Sequence, residues 1–300
     1  MLLGYADAVI GNNPAGSLFP IDLPDEPSIA GEQPERRRKF RTIWISDVHL
    51  GTKGCNAAML IDFLDSTDSE VMYLVGDIID GWRLKKRPYW PASHNDVVWR
   101  ILKRAKRGTR VVYIPGNHDE MVRPFSGMNF GGVEIARAAV HVTADGRRLL
   151  VLHGDEFDAI MLAHRWLAFV GDWMYEALLH ANRWVNAVRS RLGLPYWSLS
   201  KVAKHKVKNA VEFISSYEEV VARAAAERDL DGVVCGHIHT AEMRDLGGVT
   251  YYNDGDWVES CTALVEHFDG RMEVLHWPEE MARRAVTAAA AEYLQQAKAA

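Results

Sequence analysis

Short apolar runs recur along this chain, each stopped by a cluster of polar residues and separated from the next by residues at helical spacing. Val111-Val112-Tyr113-Ile114 is rich in β-branched and aromatic side chains and reads as a buried strand, which Pro115-Gly116 stops. Asn117, His118 and Asp119 follow at once. The same grammar takes Thr42-Ile43-Trp44-Ile45-Ser46 into Asp47-Val48-His49, and Val71-Met72-Tyr73-Leu74-Val75 into Gly76-Asp77-Ile78-Ile79-Asp80. Leu149-Leu150-Val151-Leu152 delivers His153-Gly154-Asp155, and Val233-Val234-Cys235 delivers Gly236-His237-Ile238-His239. Behind Asn56, a candidate N-cap, Ala57, Met59, Leu60, Phe63 and Leu64 fall at helical spacing. A second helix carries Val97, Val98, Ile101 and Leu102, capped by Ser93 and ended by Gly108. Residues 81–88 read as a basic loop, with Trp82, Tyr89 and Trp90 as its aromatics. Residues 138–143 and 148–152, joined by Ala144-Asp145-Gly146-Arg147, predict a hairpin.

Repeated strand, helix and strand predict an α/β first half. From about residue 156 the pattern changes. Trp166, Phe169, Trp173, Tyr175, Leu178, Leu179, Trp184, Val185 and Val188 recur at helical spacings with no strand between them. This predicts a helical insertion over about 156–215, followed by a helix from about Tyr217 to Arg228. Residues 1–38 hold Pro14, Pro20, Pro24, Pro27 and Pro34 and predict a disordered leader. Its closing run, Arg36-Arg37-Arg38-Lys39, reads as solvated charge, with contact to an anionic lipid surface as the alternative. Residues 279–300 are Ala-rich and predict a weakly anchored helical tail.

Composition narrows the class. A chain of 300 residues suits one large domain or a domain with an insertion. A net charge of −5 gives no global footprint for nucleic acid, so none is expected as a partner. Cys55, Cys235 and Cys261 are odd in number and lack CxxC spacing, which predicts free thiols in a reducing compartment. No apolar run approaches the roughly 18 residues that span a bilayer, and no charged region precedes an apolar run as in a secretory signal. A cytoplasmic protein is expected.

Open α/β sheets place their chemistry beyond the carboxyl ends of strands, so five such deliveries predict one shared crevice. Asp47, His49, Asp77, Asn117, His153, His237 and His239 offer carboxylate, imidazole and amide oxygen, a set suited to manganese, iron or zinc. Seven ligands exceed the four of one tetrahedral site. Two ions sharing a carboxylate fit better, and Asp77 is the candidate bridge. Such a pair stabilises the entering and leaving oxygens of a displacement at phosphorus and lets hydroxide exist near neutrality. Asp47 and His49 are two apart, as are His237 and His239, so an extended segment would turn each pair to one side.

Taken in order, Asp47-x-His49, Gly76-Asp77-x-x-Asp80, Gly116-Asn117-His118-Asp119, His153 and Gly236-His237-x-His239 resemble the calcineurin-like metallophosphoesterase signature. The match spans roughly 47–239. The resemblance implies a metallophosphoesterase domain over 39–278, built as a four-layer α/β/β/α sandwich with the helical insertion as a lid. It assigns Asp47, His49, Asp77 and His239 to one metal, and Asp77, Asn117, His153 and His237 to the other. It makes His118 a proton donor or phosphate contact, oriented by Asp80. A carboxylate so placed fixes an imidazole tautomer and favours its protonated form.

Within that superfamily, Ile45-Ser46-Asp47-Val48-His49-Leu50-Gly51, Gly76-Asp77-Ile78-Ile79-Asp80 and His153-Gly154-Asp155 resemble the UDP-2,3-diacylglucosamine diphosphatase group of lipid A synthesis. That resemblance implies a manganese enzyme at the cytoplasmic face of the inner membrane. Metal-bound hydroxide would attack a lipid-linked nucleotide diphosphate. The best-known branch resembles Gly-Asn-Arg-Asp where this chain has His118, and an imidazole gives up a proton at neutral pH whereas a guanidinium does not. A phosphodiesterase or phosphatase for another lipid, soluble or protein-bound phosphate is therefore the alternative substrate reading. A non-catalytic scaffold would have lost ligands, and all seven are present.

Other positions carry two readings each. Lys201, Lys204 and Lys208 share a helical face that is either solvated or holds a diphosphate. Arg83 is a similar phosphate candidate. The aromatic stripe of 166–188 is either core or the wall of an acyl groove. Asp119 and Asp155 read as helix caps or as supports for the ligands. Asp256-Trp257-Val258-Glu259-Ser260 could close the edge of the site, and the remaining histidines read as surface or core.

Overall fold

Alternation along the apolar runs settles which face each strand presents, and two stacked sheets result. The structure is a computed structural model that describes residues 37–158 and 217–299. The first sheet holds β1 (Arg38–Ile45), β2 (Thr67–Val75), β3 (Arg110–Ile114), β4 (Asn129–Phe130), β5 (Val133–Ile135), β11 (Thr262–Glu266) and β12 (Met272–His276). Their order is β12-β11-β1-β2-β3-β5-β4, with β1, β2, β3 and β5 parallel and the outer strands antiparallel. The second sheet holds β6 (Ala139–Val142), β7 (Arg148–Val151), β8 (Gly232–Cys235), β9 (Glu242–Leu246) and β10 (Val249–Asn253). Its order is β6-β7-β8-β10-β9, with β7, β8 and β10 parallel. The expected hairpin is β6–β7.

Three apolar layers separate four layers of structure. On the outer face of the first sheet, Ile43, Ile45, Met72 and Leu74 pack against α1 (Ala57–Ser66) through Leu60 and Phe63 and against α3 (Ala92–Lys106) through Val97 and Ile101. The opposite face carries Trp44, Tyr73, Val112 and Ile114, which meet Leu149, Val151, Val234 and Tyr252 of the second sheet. Beyond that sheet, Leu150, Val233 and Tyr251 pack on Tyr217, Val221 and Ala225, which belong to the helical residues 217–226 (α4). The order helix, sheet, sheet, helix is the four-layer α/β/β/α sandwich expected. A final helix, α5 (Trp277–Ala299), continues from β12 and is tied back by Arg38 to Glu280 at 2.9 Å.

The two sheets are pinned by a buried carboxylate. Glu266 of β11 accepts from Arg41 at 2.7 Å, Thr42 at 2.8 Å and the Ala144 backbone N–H at 2.7 Å, and lies 2.9 Å from His141 Nε2 on the other sheet. Burial alone would raise its pKa, but these donors hold it down to about 2.

Several local expectations are corrected. The supposed basic loop is a short helix, α2 (Gly81–Lys86), because the Asp80 side chain caps it by accepting from Arg83 N at 2.8 Å. Its last turn carries Arg83, Lys85 and Lys86, favourable beside the exposed carbonyls. α3 starts at Ala92 rather than after a Ser93 cap: Pro91 takes the cap position in extended backbone, and its carbonyl accepts from His94 N–H at 3.0 Å. Asn56 precedes α1 but makes no capping bond with its side chain. Of the expected leader over 1–38, residues 1–36 lie outside the described residues, as do residues 159–215 of the helical insertion expected over about 156–215. No described helix is long and apolar enough to cross a membrane.

Candidate metal centre

The strand ends deliver their polar residues to one rim, as parallel order requires. β1 ends into Asp47 and His49, β2 into Asp77, β3 into Asn117 and His118, β7 into His153 and β8 into His237 and His239. Backbone bonds lace the first two loops: Asp47 N–H donates to Gly76 O at 3.1 Å and His49 N–H to Asp77 O at 2.8 Å. Trp257 N–H donates to Asp47 O at 3.1 Å, so the 256–260 segment does border the site.

Asp119 ties the second and third loops. Its carboxylate is fully buried and accepts from Gly116 N–H at 2.6 Å, Ile78 N–H at 2.8 Å and the Tyr113 hydroxyl. It makes no capping bond to the 3₁₀ turn that follows, so the supporting reading holds and the capping one does not. Asp155 pairs instead with Arg123 at 2.7 Å.

Three overlapping groups of ligand atoms, each group within 4.8 Å, are formed by Asp47, His49 and His239; by His49, Asp77 and His118; and by Asp47, Asp77 and His153. Asp47 Oδ1 lies 3.0 Å from His239 Nε2 and 3.8 Å from His49 Nε2. Asp77 Oδ2 lies 3.4 Å from His153 Nε2, 3.9 Å from His118 Nε2 and 4.0 Å from His49 Nε2. Asp47 and Asp77 thus share His49 and otherwise face different imidazoles, His239 for Asp47 and His118 and His153 for Asp77. Gly116 lets the chain pass close, because a Cβ there would collide with Asp77 Oδ1 and the His153 ring.

The residues fit divalent ions on three counts. Asp47 Oδ1, Asn117 Oδ1 and His153 Nε2 are buried and complete no well-formed hydrogen bond, an arrangement that costs energy unless something takes their lone pairs. Donor atoms are carboxylate oxygen, amide oxygen and imidazole nitrogen, the set that first-row ions take. The cluster is also short of positive charge. Burial works against His153 being charged, but its contact with Asp77 and the charges of Asp47 and Asp77 raise its pKa to about 10. Burial opposes ionisation of Asp77 too, and the same His153 contact outweighs it, holding the carboxyl well below its usual range. His49 is pushed down by burial, and His239 is raised by the Asp47 carboxylate beside it.

Placement of the remaining candidates is mixed. His118 Nδ1 lies 3.1 Å from Asp80 Oδ2 but completes no hydrogen bond with it, and the same oxygen is 3.4 Å from His49 Nδ1. His237 is at the centre by its backbone, whose N–H donates to Asp47 Oδ2 at 2.9 Å, while its ring Nε2 meets Asp158 Oδ1 at 2.8 Å. Arg83 is exposed on α2, its backbone bonded to Asp80. Lys201, Lys204 and Lys208 lie outside the described residues. The geometric reason given for the paired spacings is corrected: Asp47, His49, His237 and His239 have φ of 49°, 52°, 70° and 54°. The chain is coiled there, not extended, and the left-handed turn does the converging.

Three residues escaped the sequence reading. Trp82 lies over His118 with ring centroids 4.3 Å apart; its only signal was an aromatic two places after Asp80. Ser46 donates to Asp47 Oδ2 at 2.5 Å and touches Asp254 Oδ1 at 2.6 Å. Asp158 follows Asp155 by three, a second acid that the motif did not single out.

The calcineurin-like phosphoesterase family model matches residues 40–241. A UDP-2,3-diacylglucosamine hydrolase from Azotobacter vinelandii (strain DJ / ATCC BAA-1303) is 24% identical over 216 residues, covering 68% of this chain and 84% of that protein. Among solved structures, phosphopantetheinyl hydrolase from Mycobacterium tuberculosis is 16% identical, with a TM-score of 0.36, covering 73% of this chain and 90% of the other. The E. coli phosphoesterase Yfce is 13% identical, with a TM-score of 0.37, covering 78% and 98%.

Proposed function

This chain belongs to the calcineurin-like phosphoesterase family, and we propose that it is a dinuclear phosphohydrolase whose substrate is the diphosphate of a lipid-linked sugar nucleotide such as UDP-2,3-diacylglucosamine. The observation that carries the two-ion part is Asp77, whose Oδ2 stands within 4.0 Å of His49, His118 and His153. Asp47, His49 and His239 would hold one ion and Asn117, His153 and His237 the other, with Asp77 between them. Manganese is the proposed metal, with iron or zinc as alternatives. Bound there, the ions supply Lewis acidity for an in-line displacement at phosphorus.

The chain's own residues divide the remaining work. His118 gives a proton to the leaving oxygen from Nε2, with Asp80 Oδ2 standing 3.1 Å from its Nδ1. Trp82 covers one face of that imidazole and limits how far it swings. Arg83, exposed one helical turn from Asp80, is free to meet a phosphate. The lipid part of the reading is supported by the Azotobacter relative's name and by the resemblance of the motifs. It implies work at the cytoplasmic face of the inner membrane.

A substrate panel with manganese tests the reading. The acylated nucleotide sugar is expected to turn over well and its deacylated counterpart poorly. Equal rates on both, or turnover only of a simple phosphodiester, would sink the lipid-linked substrate and leave the alternative phosphoesterase.

A further inference from the structure

Two histidines beside the centre have their ring nitrogens engaged in opposite senses. His153 Nδ1 donates to the Val75 carbonyl at 2.8 Å, which leaves Nε2 for a metal ion, and that atom has no other well-formed bond. His237 is the reverse. Its Nε2 is 2.8 Å from Asp158 Oδ1, so Nδ1 is the ring nitrogen left for an ion. The two rings meet edge to face with centroids 5.2 Å apart, and the Tyr217 ring stands 6.0 Å from His237. Packing therefore sets the plane of the His237 ring, but it does not choose between the two nitrogens. The carboxylate does, since only a protonated Nε2 can donate to it.

We propose that Asp158 is a positioning residue for the metal centre, fixing His237 as the Nε2–H tautomer so that Nδ1 faces an ion. The proposal rests on the dinuclear reading given above. A carboxylate behind a ligating imidazole orients the ring and strengthens it as a ligand, and removing one typically lowers metal affinity about 10- to 100-fold. Asp158 is poised for this role by the chain just before it: Gly154 takes φ 111°, and the turn Asp155–Phe157 is followed directly by Asp158 at His237, two residues beyond β8. Its side chain is 44% exposed, so its loss removes little packing.

The test is an equilibrium-dialysis isotherm for Mn²⁺ on the full chain, as wild type, Asp158→Ala and Asp158→Asn. Asp158→Ala is expected to weaken one of two ions about 10- to 100-fold and spare the other. Asp158→Asn, whose amide oxygen still accepts from Nε2–H, is expected to bind near wild type. Nitrogen NMR of the zinc-loaded wild type is expected to show His237 with its proton on Nε2 and His153 with its proton on Nδ1. An unchanged Asp158→Ala isotherm, an Asp158→Asn isotherm as weak as that of Asp158→Ala, or a His237 proton on Nδ1 would each overturn the proposal. A wild-type isotherm of one ion counts against the dinuclear reading instead, and Asp158 is then judged on whether its loss weakens that ion.

Discussion

Candidate ligands here occupy backbone conformations that L-residues avoid. Asp77 at φ 53° joins Asp47, His49, His237 and His239 in the left-handed region, where among the described non-glycine residues only Asp229 and Cys261 are also found. Each such residue costs about 1–3 kcal/mol and persists because its surroundings leave no alternative. The hydrogen bonds among the Asp47, Gly76 and Asp77 backbones provide that constraint. The same crowding makes Gly116 irreplaceable. Gly116→Ala is expected to cost about 1–3 kcal/mol in thermal stability and to weaken Mn²⁺ binding, since the new methyl displaces Asp77 or His153. Wild-type metal binding in that variant would contradict the placement. For His118, replacement by Gln is expected to lower turnover about 10²- to 10⁴-fold while metal content stays at the wild-type value. Loss of bound metal in step with turnover would make it a ligand instead. At this scale residue types were legible, because Asp-x-His and Gly-His-x-His announce their chemistry. Backbone angles were not, and Trp82 and Asp158 act through contacts made by folding alone.

Strands that end in the site were readable because they are apolar on both faces, as parallel strands between layers must be. Short or edge elements were not. α2 has six residues, four of them charged or aromatic, and exists because Asp80 caps it. β11 hides an acid: a buried Glu266 at a strand end reads in sequence as the beginning of a loop. That carboxylate also gives the fold a pH limit. Its pKa is lowered from 4.5 to about 2, so its stabilisation is complete above pH 4.5 and is lost as pH falls toward 2. The shift corresponds to roughly 3 kcal/mol for a group this buried. Glu266→Gln is expected to lower the melting temperature at pH 7 and to flatten the acid limb of the stability curve between pH 4.5 and 2. An acid limb that keeps its wild-type slope would show that the pin between the sheets contributes nothing.

For the whole molecule, four stacked layers bring five loops from distant parts of the chain to one rim, and the family match spans them. The ordered motifs made both fold and reaction class legible. Substrate identity was not, and the lysines proposed to hold a diphosphate, Lys201, Lys204 and Lys208, lie outside the described residues. The central claim remains that the gathered side chains hold a pair of cations with Asp77 between them. Metal content of purified, manganese-loaded protein measures it directly, alongside Asp77→Ala. Two ions per wild-type chain and weakened binding of both in Asp77→Ala are predicted; one ion per wild-type chain, or two retained at full affinity without Asp77, would contradict it.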